Sequence, residues 1–142
     1  MNNVTPSRFR LDKFFVEDFK FKREPTDQGK VDIKIIPSGY IDRENESFLL
    51  TLDVSLKDST KSFTIKMKAI GYFKFSNGDP EKTISNYFYL NAPAIVFPYI
   101  RAYISAVSSL SGLNAINLPV MNLTSLQEKL KENTIENTPS ST

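Results

Sequence analysis

The chain contains no cysteine, no histidine and no tryptophan. Without cysteine there are no disulfides, no thiolate metal sites and no cysteine nucleophile. Without histidine the commonest metal ligand and general base is missing as well. No phosphate-cradling loop is present, and the acidic pair Glu44 and Glu46 sits in a polar turn with no nucleophile or metal ligand nearby, so it reads as a solvated loop. These absences argue against an enzyme and imply neither a cofactor nor a metal. Long hydrophobic runs are also lacking. The longest apolar segment, near residues 92–107, is interrupted by Pro98 and Arg101, and no basic N-terminus precedes a stretch of signal-peptide length. A cytoplasmic protein with no membrane insertion is expected. Net charge is small, at +2, and the basic residues alternate with acids, which excludes a nucleic-acid stripe.

What is present suits a single folded domain. The chain has 142 residues, of which 40% are hydrophobic and 24% charged, ordinary values for a globular core. The apolar content is skewed toward 11 Phe and 6 Tyr. Large aromatic surfaces serve both cores and sites that hold other chains.

The first half alternates with the period of a strand. Phe9, Leu11, Phe15, Phe19 and Phe21 fall on odd positions, while Phe14 and Val16 break the parity and predict a bulge. Val31, Ile33 and Ile35 form a second strand that ends at Pro37-Ser38-Gly39. Phe48, Leu50, Leu52, Val54 and Leu56 share one face of a third, half-buried strand. Asp58-Ser59-Thr60 offers a turn, and Phe63 to Phe75 returns as a fourth strand, making a long hairpin. Asn77-Gly78-Asp79-Pro80 closes the β half.

The period then changes. Ile95, Val96, Tyr99, Ile100, Tyr103, Ile104, Val107 and Leu110 recur at three- and four-residue spacing, with Pro98 bending or starting the helix and Gly112 stopping it. Arg101 is its one strongly polar residue, so more of its circumference is apolar or small than one sheet would cover. A second subunit is the economical cover, with Tyr99, Tyr103, Ile104 and Val107 as the expected interface. Asn117 to Met121 is an extended apolar connector, and Thr124-Ser125-Leu126-Gln127 matches a capping box opening a short second helix. One domain over residues 1–133 and a disordered tail over 134–142 are expected.

The stretch Asn91-Ala92-Pro93-Ala94-Ile95-Val96-Phe97-Pro98-Tyr99-Ile100-Arg101 resembles the signature of the SecB chaperone family. Asn117-Leu118-Pro119-Val120-Met121-Asn122-Leu123 is similar to the family's extended segment before its second helix, and Ala69-Ile70-Gly71-Tyr72-Phe73 to the end of its fourth strand. The resemblance covers roughly residues 8–132. It implies an α+β fold, a four-stranded antiparallel sheet packed with a long helix and a short C-terminal helix, oligomerising as a homotetramer built as a dimer of dimers. It further implies an ATP-independent holdase that binds unfolded precursors for export. Delivery to the motor SecA would place a partner contact at Glu17 and Asp18. In charge the chain departs from the family, whose familiar members are strongly acidic; here Lys20 and Lys22 follow those two acids.

A holdase needs exposed apolar surface. The connector and second helix offer Leu118, Val120, Met121, Leu123, Leu126 and Leu130 as client-binding candidates, through non-directional burial and adaptable Met and Leu side chains. The bland alternative is that these residues close the core. Arg101 reads as a structural pair-former rather than a site. Two other functions stay open: a SecB-like chaperone dedicated to one client, such as an antitoxin, and a small-ligand carrier using the sheet.

Overall fold

The computed structural model describes residues 9–75, 86–119 and 121–137. Along the chain run β1 (Phe9–Arg23), β2 (Val31–Asp42), β3 (Ser47–Asp58), β4 (Phe63–Phe75), α1 (Asn86–Leu110), a 3-10 turn (Leu123–Ser125), α2 (Leu126–Glu132) and β5 (Thr134–Asn137). The strands form one sheet in the order β1-β4-β3-β2-β5. Pairing is antiparallel except between β2 and β5, which run parallel. The expected sheet of four antiparallel strands is thus corrected to a mixed sheet of five. The added strand comes from residues assigned by sequence to a disordered tail; Asn77 to Pro80 and residues 138–142 lie outside the described residues.

The hairpin of β3 and β4 supplies the centre of the core. Phe48, Leu50, Leu52, Val54 and Leu56 are buried on one face, opposite Phe73, Gly71, Ala69, Met67 and Ile65 respectively. Each such Phe, Leu or Ile contributes about 1.5–3 kcal/mol by leaving water. At the hairpin's tip the buried Asp58 carboxylate accepts from Gly29 N at 2.9 Å, Ser62 N at 2.7 Å and Thr60 Oγ1 at 2.9 Å, and also from Ser62 Oγ. Burial pushes its pKa up. The hydrogen bonds from Ser62, Gly29, Thr60 and Phe63 outweigh that and hold it well below its ordinary 3.8. The same contacts tie the β1–β2 loop to the turn.

β1 carries two irregularities against β4, between Leu11 and Lys13 and between Val16 and Asp18. Each extra residue switches the side-chain parity. Phe9 and Leu11, then Phe14 and Val16, then Phe19 and Phe21 therefore all pack on the core, while Phe15 is turned out and exposed. The parity break read from the sequence is real, and it is double.

α1 begins at Asn86, nine residues before Ile95, and continues through Pro93 and Pro98. Each proline removes one i→i−4 hydrogen bond. Packing offsets that loss. Phe88 stacks on Phe9 at 3.8 Å between centroids and meets Phe75 at 5.3 Å, anchoring the first turn over the sheet. A Cβ added at Gly71 would stand 2.7 Å from Val96 Cγ2, so glycine lets the helix approach β4. The helix ends near Gly112, at φ +90°, a conformation glycine adopts freely. There Arg23 Nη1 donates to Ser108 O at 3.2 Å and Ser108 Oγ accepts from Ile116 N at 2.7 Å, binding β1 and the connector to the helix end.

Asn122 caps the 3-10 turn, its Oδ1 accepting from Thr124 N at 3.1 Å. Thr124 Oγ1 donates to the same atom, and Ser125, the residue before α2, makes no side-chain cap. The capping residue is thus Asn122, two positions before the predicted Thr124. After α2, Asn133 Nδ2 donates to Pro37 O at 2.9 Å and Gly39 N to Asn133 O at 3.3 Å, seating β5 beside β2. Arg43 pairs with Glu136 across that edge.

Candidate client-binding surface

The connector is tied to the end of α1 at Ser108 and α2 packs on β2 and α1, and together they divide the predicted client residues into two groups. Leu118 and Leu130 point into the core; Leu130 has 0% exposure, and Ile116 beside them is equally buried. Neither Leu118 nor Leu130 is available to a client while the chain stays folded, a correction to the sequence reading. The cause is local: a seven-residue helix with one edge on the sheet must bury that edge, and Leu130 is its centre. Met121, Leu123 and Leu126 behave differently. They are half-buried, resting on the core while keeping part of their surface in solvent. Val120 lies outside the described residues.

Sequence reasoning missed the exposed apolar groups at the helix end. Leu110 is 85% exposed and Leu113, at the start of the connector, is also open. The periodic stripe read from the sequence includes Leu110 and gives no sign that it is exposed, whereas Leu113 follows the stopping glycine. The run from Leu110 to Leu126 therefore shows solvent a series of unbranched or γ-branched apolar side chains. Such groups bind by area and shape rather than by direction, which suits varied unfolded segments.

The predicted interface residues on α1 also divide. Ile104 has 0% exposure and belongs to the core of its own chain, which corrects that assignment. Tyr99 is 50% exposed, with its ring 5.3 Å from Phe14, and Tyr103 is half-buried edge-on to Phe19 at 5.1 Å. Val107 is half-buried, and Ala102, Ala106 and Ser109 are exposed near it. This side of α1 carries no charged residue except Arg101, whose guanidinium lies over Phe97 at 5.3 Å. Arg101 thus rests on a ring one turn earlier in its own helix.

Glu17 sits at the second β1 irregularity, within 3.8 Å of Lys68 Nζ, and Asp18 faces Lys68 across the ladder. Both acids are exposed. Glu44 and Glu46 lie in the β2–β3 turn, Glu46 at φ 50°, with Asp42 held below its ordinary pKa by the side chain and backbone of Asn45. Among the described residues no group of three or more acidic side chains is placed to hold a metal ion. No described helix is long and apolar enough to cross a membrane.

Several comparisons bear on this arrangement. Among solved structures, the chain is similar to the Mycobacterium tuberculosis Rv1957 SecB-like chaperone in complex with a ChAD peptide from the Rv1956 HigA1 antitoxin. The TM-score is 0.67 at 14% identity, covering 81% of this chain and 88% of that one, a likeness of fold. A Streptococcus agalactiae protein of unknown function matches at TM-score 0.47 and 10% identity, covering 80% of this chain and 98% of that one. No curated protein matches in sequence. The family model described as preprotein translocase subunit SecB matches residues 3–134, from before β1 to the first residue of β5. With that match running across nearly the whole chain, this protein belongs to the SecB family.

Proposed function

We propose that this protein is an ATP-independent holdase that keeps unfolded polypeptides soluble in the cytosol by covering their apolar segments. The observation that carries the reading is the family match over residues 3–134. The half-buried Met121, Leu123 and Leu126, with exposed Leu110 and Leu113, supply a surface of the right chemistry. Holding and release then follow from binding equilibria, with handover to a partner in place of nucleotide hydrolysis. The uncharged side of α1 at Tyr99, Tyr103 and Val107 supports assembly of subunits, with a dimer of dimers as the proposed form.

Two kinds of client fit. The first is the pool of precursors destined for export, with Glu17 and Asp18 as the proposed contact for a SecA-type motor. The second is a dedicated client such as an antitoxin. The fold shared with a SecB-like chaperone solved with an antitoxin peptide favours keeping this second reading. Binding of purified SecA separates the two.

The surface itself is tested by substitution. Leu126→Ser combined with Met121→Ser should cost about 1–2 kcal/mol of stability, because both side chains are only half-buried. It should nevertheless abolish most suppression of aggregation of a chemically unfolded polypeptide, followed by light scattering. Full suppression by a folded double variant would place the client surface elsewhere.

A further inference from the structure

The face of the sheet turned away from α1 carries a second, chemically distinct surface. Ladder partners point to the same side of a sheet, so the register arranges its side chains in rows across the strands. One row reads Lys20, Lys66, Ser55 and Lys34 from β1 to β2. The next reads Lys22, Thr64, Lys57 and Asp32. All five lysines are exposed, and among the described residues none of them forms an ion pair. Lys20 and Lys66 stand directly opposite each other, a like-charge pairing that costs stability, with Asp18 and Asp53 in the adjoining row. Between these rows lies a shallow depression of about 240 Å³ lined by Lys34, Lys57, Lys66 and Asp32. The four strands span about 14 Å, the reach of four or five extended residues.

We propose that this lysine-rich end of the outer face docks an acidic segment of a partner protein, distinct from and independent of the client surface. Charge complementarity selects the partner: two rows hold five ammonium groups against the carboxylate of Asp32, and with the adjoining row of Asp18, Lys68 and Asp53 the balance of the three rows stays positive. A flexible lysine stem reaches carboxylates at varied spacing without demanding bidentate geometry. Nucleic acid is the poorer occupant. Binding of single strands combines positive charge with interleaved aromatic rings, and the exposed aromatics of this face, Phe15 and Tyr40, lie in the rows at its other end. Such docking would steer association and weaken with salt.

The test uses the full chain and a fluorescein-labelled, Glu- and Asp-rich peptide, read by anisotropy at low and physiological salt. A Lys-rich peptide and a single-stranded oligonucleotide matched in charge to the acidic peptide serve as comparisons. The acidic peptide should bind more tightly than either, and Lys20→Glu with Lys66→Glu should weaken it at least about tenfold. Suppression of client aggregation should stay unchanged in that variant, which separates this surface from the holdase reading. Its melting temperature guards against misfolding, and Lys34→Gln with Lys66→Gln gives a charge-removing second variant that should weaken binding in the same direction. Absence of binding at low salt, affinity undiminished in both folded variants, or equal affinity for the oligonucleotide would each overturn the proposal.

Discussion

The two faces of the sheet come from the same strands yet serve different neighbours. On the face beneath α1, β3 and β4 present an unbroken series from Phe48 to Leu56 and from Phe63 to Phe75, closed over by Phe88, Val96 and Ile100. On the other face the exposed rings of Phe15 and Tyr40 lie toward one end, with Lys13 in the row of Tyr40, and the two rows that hold five lysines lie toward the other. Alternation decides which side a residue takes. What covers that side decides whether the residue stabilises the fold or remains available to a partner. The connector and α2 stand between these cases, with Leu130 sealed and Leu126 half-open within one helical turn.

Breaking the covered face should have the largest effect. Phe88→Ala removes a ring packed on Phe9, Phe48 and Phe75 and should cost about 3–5 kcal/mol in denaturant unfolding. If the loss were below about 1 kcal/mol, the helix would not be anchored there.

Next comes the tip of the hairpin. Asp58→Ala leaves the buried Ser62 N–H and hydroxyl without their acceptor and should lower the melting temperature clearly at neutral pH. The sign of its pH dependence follows from its depressed pKa. The stabilisation is present above the ordinary carboxylate value of 3.8 and fades as pH falls through the lower folded value, so the wild type should lose stability on acidification below about pH 4. Asp58→Asn should flatten that acid limb, checked by melts across pH. An unchanged limb would assign acid sensitivity to other carboxylates.

The edge strand is held more lightly. A Cβ at Gly39 would lie 2.7 Å from the Phe48 ring and 2.8 Å from Thr134 Oγ1, so Gly39→Val should cost about 1–3 kcal/mol and loosen β5. Faster amide exchange in residues 134–137 than in β3 would be the sign. The smallest effect is expected from Arg43→Ala. Its pair with Glu136 is part-exposed, and its loss should cost no more than about 1 kcal/mol. The Tyr89 phenol, whose pKa is raised by burial and then by Glu136, should titrate higher still without Arg43.

How far the fold was legible depended on whether the signal was local. The β3–β4 hairpin repeats its alternation over more than twenty residues, and a parity break in β1 announces its bulges. The helix start at Asn86 was hidden because Pro98 read as a bend or a start, whereas ring packing by Phe88 anchors a helix that runs through both Pro93 and Pro98. β5 had no periodic signal at all. It has one apolar side chain, Ile135, which is 68% exposed, and its place is set by contacts to Pro37, Gly39 and Arg43 far away in the chain. The candidate surface was legible as a segment but not residue by residue. Periodicity marks Leu123, Leu126 and Leu130 alike, and only the packed structure shows which of them is sealed.

The holdase reading is tested most directly by the mass of the purified protein in light scattering, alone and mixed with a chemically unfolded, aggregation-prone polypeptide. The account predicts an oligomer that forms a soluble complex with the unfolded chain and ignores the same protein when folded. A monomer indifferent to both forms would contradict it.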